Sequence, residues 1–283
     1  MQKFSYKIFL ISYFFIMLFP MQIKAGQNSF EIDYEVSSYT YKEPHLAYPI
    51  SLKGNKQGFS AAYKMYNLWQ TEIPNSNFVL LEIRYMTGDN TYKGWLSSGE
   101  IYIPTKANNI GDYYWEGALK AGRLIYSKEN FNIEGSLGIG YRNLRDHLED
   151  MGEGGYLRKS TYIYMPVDMA FKYQLNNRFN LALKTEFDFL VSAQQYSGPI
   201  VGYESTGVYN SQEQGYGLRA SLKFSATAGF TELFIEPFWR YWHIQNSQEA
   251  EQYIKIGSVW YEQVIYEPFN TTQEYGVKVG VKF

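Results

Sequence analysis

The sequence predicts an all-β protein of about ten antiparallel strands, in an up-and-down meander that closes on itself as a barrel. Three observations predict it. Stretches of apolar–polar alternation recur from Asn28 onward, the connections between them alternate between short and long, and the last stretch stops on an aromatic residue in mid-alternation. In that stretch Tyr275, Val277, Val279, Val281 and Phe283 share one parity, and Glu274, Gly276, Lys278, Gly280 and Lys282 share the other. A strand with one apolar and one charged face, left unpaired at an edge, templates aggregation. Pairing with the first strand removes the edge.

The first element is not a strand. Lys3 and Lys7 precede the apolar block IFLISYFFIMLF, and Pro20 and Ile23-Lys24-Ala25 follow, the pattern of a signal peptide over residues 1–25 that leaves 26–283 as one barrel domain. Strands are then expected at 28–41, 57–69, 77–87, 112–127, 131–143, 159–174, 179–192, 214–225, 231–245 and 272–283. The fifth sets Phe131, Ile133, Leu137, Ile139 and Tyr141 against Asn132, Glu134, Ser136 and Arg142. The sixth opposes Met165, Val167, Met169 and Phe171 to Asp168 and Lys172, and the seventh opposes Leu181, Leu183, Phe187 and Phe189 to Lys184, Glu186 and Asp188. Asn176-Asn177 joins them in a tight hairpin.

Short turns fall at QTEIPNS, SKEN, LNNR and ATAG, and long polar segments at 42–56, 88–111, 144–158, 193–213 and 246–271. Short periplasmic turns alternating with long extracellular loops are the habit of outer-membrane barrels. A strand of about 12 residues tilted by about 40° stands roughly 30 Å high, enough to cross the apolar band. Lipid offers no hydrogen bonds to a free edge, so closure becomes obligatory.

Composition excludes other classes. The 283 residues include 28 Tyr and 19 Phe with a formal net charge of −2, so no basic excess is present to neutralise a nucleic acid. After residue 25 no apolar run is long enough for a helical span. With no cysteine, neither a disulfide framework nor a lipidated cysteine is available.

Parity also assigns an interior. With the apolar set toward lipid, the lumen receives Glu31, Asp33, Glu35, Lys64, Glu82, Arg84, Glu116, Lys120, Glu134, Arg142, Asp168, Lys172, Lys184, Glu186, Asp188, Arg219, Lys223, Glu236, Arg240, Glu274, Lys278 and Lys282. Acids and bases are equal in number, which points to side chains pairing across a narrow lumen rather than to a ring of one sign. Glu236 and Arg240 form the leading pair, with Glu186 and Asp188 as acceptors from another strand. The alternative is a charged constriction that filters small solutes. Tyr113, Tyr114, Trp115, Trp239, Tyr241 and Trp242 are assigned to an aromatic girdle at the loop-side interface.

The aromatic C-terminus, carried by Tyr275, Val277, Val279, Val281 and Phe283, resembles the strand signal read by the outer-membrane assembly machinery of Gram-negative bacteria. The stretches GYRNLRDHL, GYGLRASLKF, EPFWRYWHI and YEPFNTTQEYGVKVGVKF resemble a widespread family of small Gram-negative outer-membrane β-barrel proteins, filed loosely as porin-family proteins and lacking an established activity. The resemblance runs over most of the chain after residue 25 and implies location and fold, not a task. The partners expected are outer-membrane lipid and lipopolysaccharide, the barrel-assembly machinery, and a surface ligand held by segments 88–111, 193–213 or 246–271; nucleic acid and cofactors are not expected.

Enzymatic readings find little support. An omptin-like surface protease uses an Asp/His pair, and none of His45, His147 and His243 stands in an Asp-x-His arrangement. A barrel lipid hydrolase needs a serine two residues beyond its histidine, where Gln245 follows His243. Gly138-x-Gly140 lies mid-strand with no helix after it, so it reads as packing rather than a phosphate loop, and DHLEDMGEGG lacks calcium-loop spacing.

Overall fold

The computed structural model describes residues 28–283 apart from 47, 68–75 and 99–100; the expected signal peptide and most of the QTEIPNS turn lie outside the described residues. The alternating stretches form β1 (Asn28–Glu43), β2 (Ile50–Tyr66), β3 (Asn77–Ser98), β4 (Ile101–Lys128), β5 (Phe131–His147), β6 (Leu157–Gln174), β7 (Phe179–Ser197), β8 (Val208–Gln212), β9 (Gly215–Ala228), β10 (Thr231–Ile244), β11 (Ala250–Ile256), β12 (Val259–Ile265) and β13 (Asn270–Lys282). Ten of them make the wall, in the order β6-β5-β4-β3-β2-β1-β13-β10-β9-β7, and β6 pairs with β7 to close the ring. The expected closed antiparallel meander is the fold. No helix among the described residues is long and apolar enough to cross a membrane.

The seam is made by the two ends of the domain. β13 pairs with β1 from Glu31 opposite Lys282 to Lys42 opposite Thr271. Phe283 extends the ladder by one step, donating its N–H to the Phe30 carbonyl at 2.8 Å and accepting from Phe30 N–H at 3.2 Å. The C-terminal strand therefore has no free edge. At the turn end Asn176 Oδ1 accepts the N–H groups of Arg178 and Phe179, both at 2.9 Å, and holds the β6–β7 hairpin tight. Gly229 turns the β9–β10 hairpin at φ +67°, a region glycine enters without a Cβ clash.

On the loop side the wall is taller than the sequence reading placed it. Segment 88–111 is not a polar loop: β3 continues to Ser98 and β4 begins at Ile101, a two-stranded extension of the wall. Segment 42–56 shrinks because β2 starts at Ile50, 193–213 contains β8 paired with the top of β7, and 246–271 contains the β11–β12 hairpin. The cause is physical. Above the lipid both faces of a strand tolerate polar residues, so alternation fades while backbone pairing continues.

The two faces of the wall are inverted relative to a soluble protein. Outward side chains such as Ile83, Leu119, Leu137, Ile139 and Val191 are exposed, while Glu35, Glu116, Asp188 and Arg142 are buried. Charged groups are rarely buried unless paired, and so wide an apolar belt facing outward has lipid as its solvent.

Candidate functional site

Inward parity brings one or more charged side chains from most strands to the barrel axis, and they sort into three layers. In the middle layer Arg84 (β3), Arg142 (β5), Arg219 (β9) and Arg240 (β10) meet Glu35 (β1), Glu116 (β4), Asp188 (β7) and Glu274 (β13). Glu116 is the hub: it binds Arg84 and accepts from Arg142 at 3.1 Å and Arg219 at 2.6 Å. Glu35 bridges Arg84 at 2.8 Å and Arg240 at 2.7 Å. These four guanidinium side chains are only 2–14% exposed, so the network sits out of water and depends on its own pairing. Aromatic rings complete the layer: Tyr114 donates to Glu274 at 2.8 Å with Arg142 4.0 Å above its ring, and Tyr164 accepts from Arg219 at 3.2 Å.

Toward the turns the side chains thin out, leaving a cavity of about 400 Å³ that runs from Ser29 and Asn130 at the turn end to the arginine layer. Lys120 gathers Glu82 at 2.7 Å, Asp168 at 3.0 Å and Glu186. Glu134 is shared by Lys64 at 2.5 Å and Lys172 at 2.6 Å, while Lys223 binds Glu31 and approaches Glu236 at 3.5 Å. Lys184 lines the same cavity.

Toward the loops the lumen is filled. Lys56 and Asp112 pair at 2.5 Å with both side chains fully buried, and Lys56 lies 4.1 Å from the Tyr39 ring centre. Above them Tyr39, Tyr41, Leu52, Tyr92, Ile110 and Leu148 pack into an apolar cap. Arg158 joins Asp146 at 2.9 Å and Glu43 at 3.1 Å, with Glu267 of the β12–β13 connection 3.9 Å away. The Tyr41 hydroxyl lies 2.8 Å from Glu43 and 2.9 Å from Glu267, and Gln195 donates to Glu267. Burial, and after it the Glu43 charge, pushes the Glu267 carboxyl up to about 8, so it holds a proton at neutral pH.

The expected pair Glu236–Arg240 does not form. The two lie two inward positions apart on one strand, roughly 13 Å at about 3.3 Å per residue, and Arg240 reaches Glu35 and Glu274 instead. Glu236 belongs to the cavity, near Lys223 and Lys278. Glu186 and Asp188 serve Arg219, not Arg240.

The girdle needs two corrections. Tyr113, Trp115, Trp239 and Tyr241 point outward, with Trp115 4.8 Å from Tyr141 and Trp239 stacked on Tyr241 at 5.9 Å. Tyr114 and Trp242 are buried in the lumen, where Trp242 packs 5.3 Å from Tyr162 and 5.2 Å from Tyr164. Their parity is that of Glu116 and Arg240, and parity decides the face. Gly140 makes room here, since a Cβ on it would overlap the Tyr164 ring. Lys56, Asp112, Glu43, Asp146, Arg158 and Glu267 were not singled out from the sequence. The signal was present for five of them: Glu43 continues the parity of Glu35, Lys56 that of Lys64, Asp112 that of Glu116, Asp146 that of Arg142 and Arg158 that of Asp168.

The histidines stay apart from this network. His45 and His243 flank Phe269, with ring centres 4.5 and 4.7 Å from it, and His147 lies 2.9 Å from Glu149. Among the described residues no three His, Asp or Glu side chains gather as a metal site.

No protein-family model matches the sequence, and no curated protein is similar to it. Solved structures do match. The outer membrane protease OmpT from Escherichia coli superposes with a TM-score of 0.64 at 9% identity, covering 92% of this chain and 97% of that one. The outer membrane protein OprG from Pseudomonas aeruginosa gives 0.38 at 9% identity, covering 91% and 96%, and Ail of Yersinia pestis gives 0.33 at 10%, covering 91% and 99%. At such identity a likeness concerns the fold, and only the first score carries it. With a closed ten-stranded wall, an apolar exterior and a charged interior, the chain has the fold of a Gram-negative outer-membrane β-barrel protein.

Proposed function

We propose that the chain is a structural or surface-interaction barrel: exported by residues 1–25, assembled through its aromatic C-terminal strand, closed to solutes, and acting without catalysis through its extracellular segments. The filled lumen carries this reading. A solute entering from the turn end meets the Arg84–Glu116–Arg219 layer, then the Lys56–Asp112 pair, then the tyrosine cap. The surface side is supported by the β11–β12 hairpin, where Trp260, Tyr261 and Val264 are exposed. The test is single-channel conductance of the refolded mature chain in a planar bilayer, after heat-modifiable gel migration shows a folded barrel. Insertion without conductance supports the reading, and stable open steps refute it.

A small-solute porin is the second reading, favoured by the cavity of about 400 Å³ beneath the arginine layer. On that reading Arg240→Ala widens the constriction and raises conductance; unchanged conductance removes it.

A further inference from the structure

The β11–β12 hairpin at the loop end leaves one strand edge open. β11 is covered on both sides. β12 pairs with it from Ala250 opposite Ile265 to Ile256 opposite Val259. Along its other edge the Thr206 N–H donates to the Tyr253 carbonyl and the Lys255 N–H to the Glu204 carbonyl, both at 2.8 Å. β12 has β11 alone: from Val259 to Val264 its other edge makes no backbone hydrogen bond among the described residues, and every side chain there is exposed. Tyr261 and Gln263 share a face with buried Ile254 and Gln252 and are exposed nonetheless, so β12 projects beyond the body of the protein.

An open edge is a template for a further strand, and proteins guard such edges with proline, lysine or a covering loop. β4 shows the guard: above Asp112 it is not paired with β5 among the described residues, and there it carries Pro104, which has no N–H, and Lys106. β12, with the sequence VWYEQVI, carries neither. Its β-branched and aromatic residues favour an extended strand whose free N–H and C=O groups stay available. Charge names what fits. Segments 193–213 and 246–271 contain six glutamates against one base, Lys255, and Lys255 is engaged by Glu204 at 2.7 Å. The exposed Glu249, Glu251 and Glu262 have no ion-pair partner among the described residues. Glu262 stands at the centre of β12, on one face with Trp260 and Val264. That face already holds a cation, the Lys255 ammonium, 6.0 Å from the Trp260 ring centre.

We propose that β12 accepts an extended basic peptide segment of a partner protein as a further strand. Backbone hydrogen bonds along the open edge supply affinity whatever the peptide sequence, and alternate side chains supply selection. A lysine or arginine opposite Glu262 makes a cross-strand charge pair, and apolar residues at the alternate positions meet Val259 and Tyr261 on the other face. The proposal rests on the surface-interaction reading and names the class of partner.

The experiment is amide hydrogen exchange of the refolded chain in nonionic micelles, read by mass spectrometry, with and without a synthetic heptapeptide that alternates lysine and valine. Heat-modifiable migration verifies folding, and planar-bilayer conductance is recorded on the same preparation. The expected result is slowed exchange over β12 with this peptide and none with its glutamate–valine counterpart. A copy of the basic peptide N-methylated at each backbone amide keeps its charge and gives no protection. Glu262→Gln, at an exposed position, weakens binding by up to about fivefold. Equal protection by the acidic peptide overturns the proposal, as does binding of the basic peptide, followed by fluorescence anisotropy, that leaves β12 exchange unchanged. Slowed β12 exchange in the chain alone as its concentration rises marks pairing with a second copy and overturns the assignment to a basic peptide. A silent barrel whose β12 the basic peptide does not protect refutes the peptide site and leaves the surface reading standing, whereas open channel steps refute the closed-barrel reading whatever β12 does.

Discussion

Arg219 on β9 and Glu116 on β4 are separated around the wall by three strands on one side and five on the other, yet Nη1 and Oε1 lie 2.6 Å apart. A contact of this kind fixes the diameter of the barrel from within. Glu116 holds two further arginines, Arg84 and Arg142, so its removal leaves three buried cations short of a partner. Glu116→Ala should destabilise the folded barrel by about 3–5 kcal/mol. Urea unfolding in detergent, read by tryptophan fluorescence, measures it.

The inward and outward tryptophans of β10 should respond differently. Trp242→Ala removes a buried ring packed on Tyr162 and Tyr164 and should cost about 3–5 kcal/mol. Trp239→Ala acts on the outer surface and should stay within about 0.5 kcal/mol in detergent. Equal losses in the same unfolding assay would refute the inward placement of Trp242.

Glu267 gives the extracellular end a pH dependence of definite sign. Its carboxyl is raised to about 8 in the folded state by burial and then by the Glu43 charge. The folded form therefore holds a proton that the unfolded form releases near pH 4.5, and stability falls as pH rises from about 4.5 to about 8 before levelling. Proteolysis of the 245–269 connection should quicken over that window, and Glu267→Gln should flatten the profile. A wild-type rate that slows with rising pH would contradict the assignment.

Ile139, exposed near the middle of β5, tests the solvent of the outer belt. Ile139→Arg should cost about 2–4 kcal/mol in phospholipid vesicles. Fractional folding measured by gel mobility across a urea series reads the difference.

Much of this architecture is legible in the chain because a strand repeats every two residues. Ile139 and Arg142 reveal their faces by parity alone, and so do Tyr114 and Trp242, whose assignment to the girdle put aromatic character before period. Partner choice is not legible. Arg240 meets Glu35 rather than Glu236 because the stagger of neighbouring strands and the width of the ring decide which side chains converge, and neither is written in local sequence. The extensions at Ile50 and Ser98 were hidden for a different reason: their outward residues face water, and a water-facing strand resembles a loop in composition.

The seam between Glu31 and Lys282 joins the two extremes of the described chain. This one pairing spans nearly the whole described chain, and loop-closure entropy must be met before it forms. A nascent chain therefore cannot mature piecemeal. Until the final strand arrives, two open edges and an apolar exterior must be kept from other chains, which makes ring closure the last and most interruptible event in the protein's biogenesis.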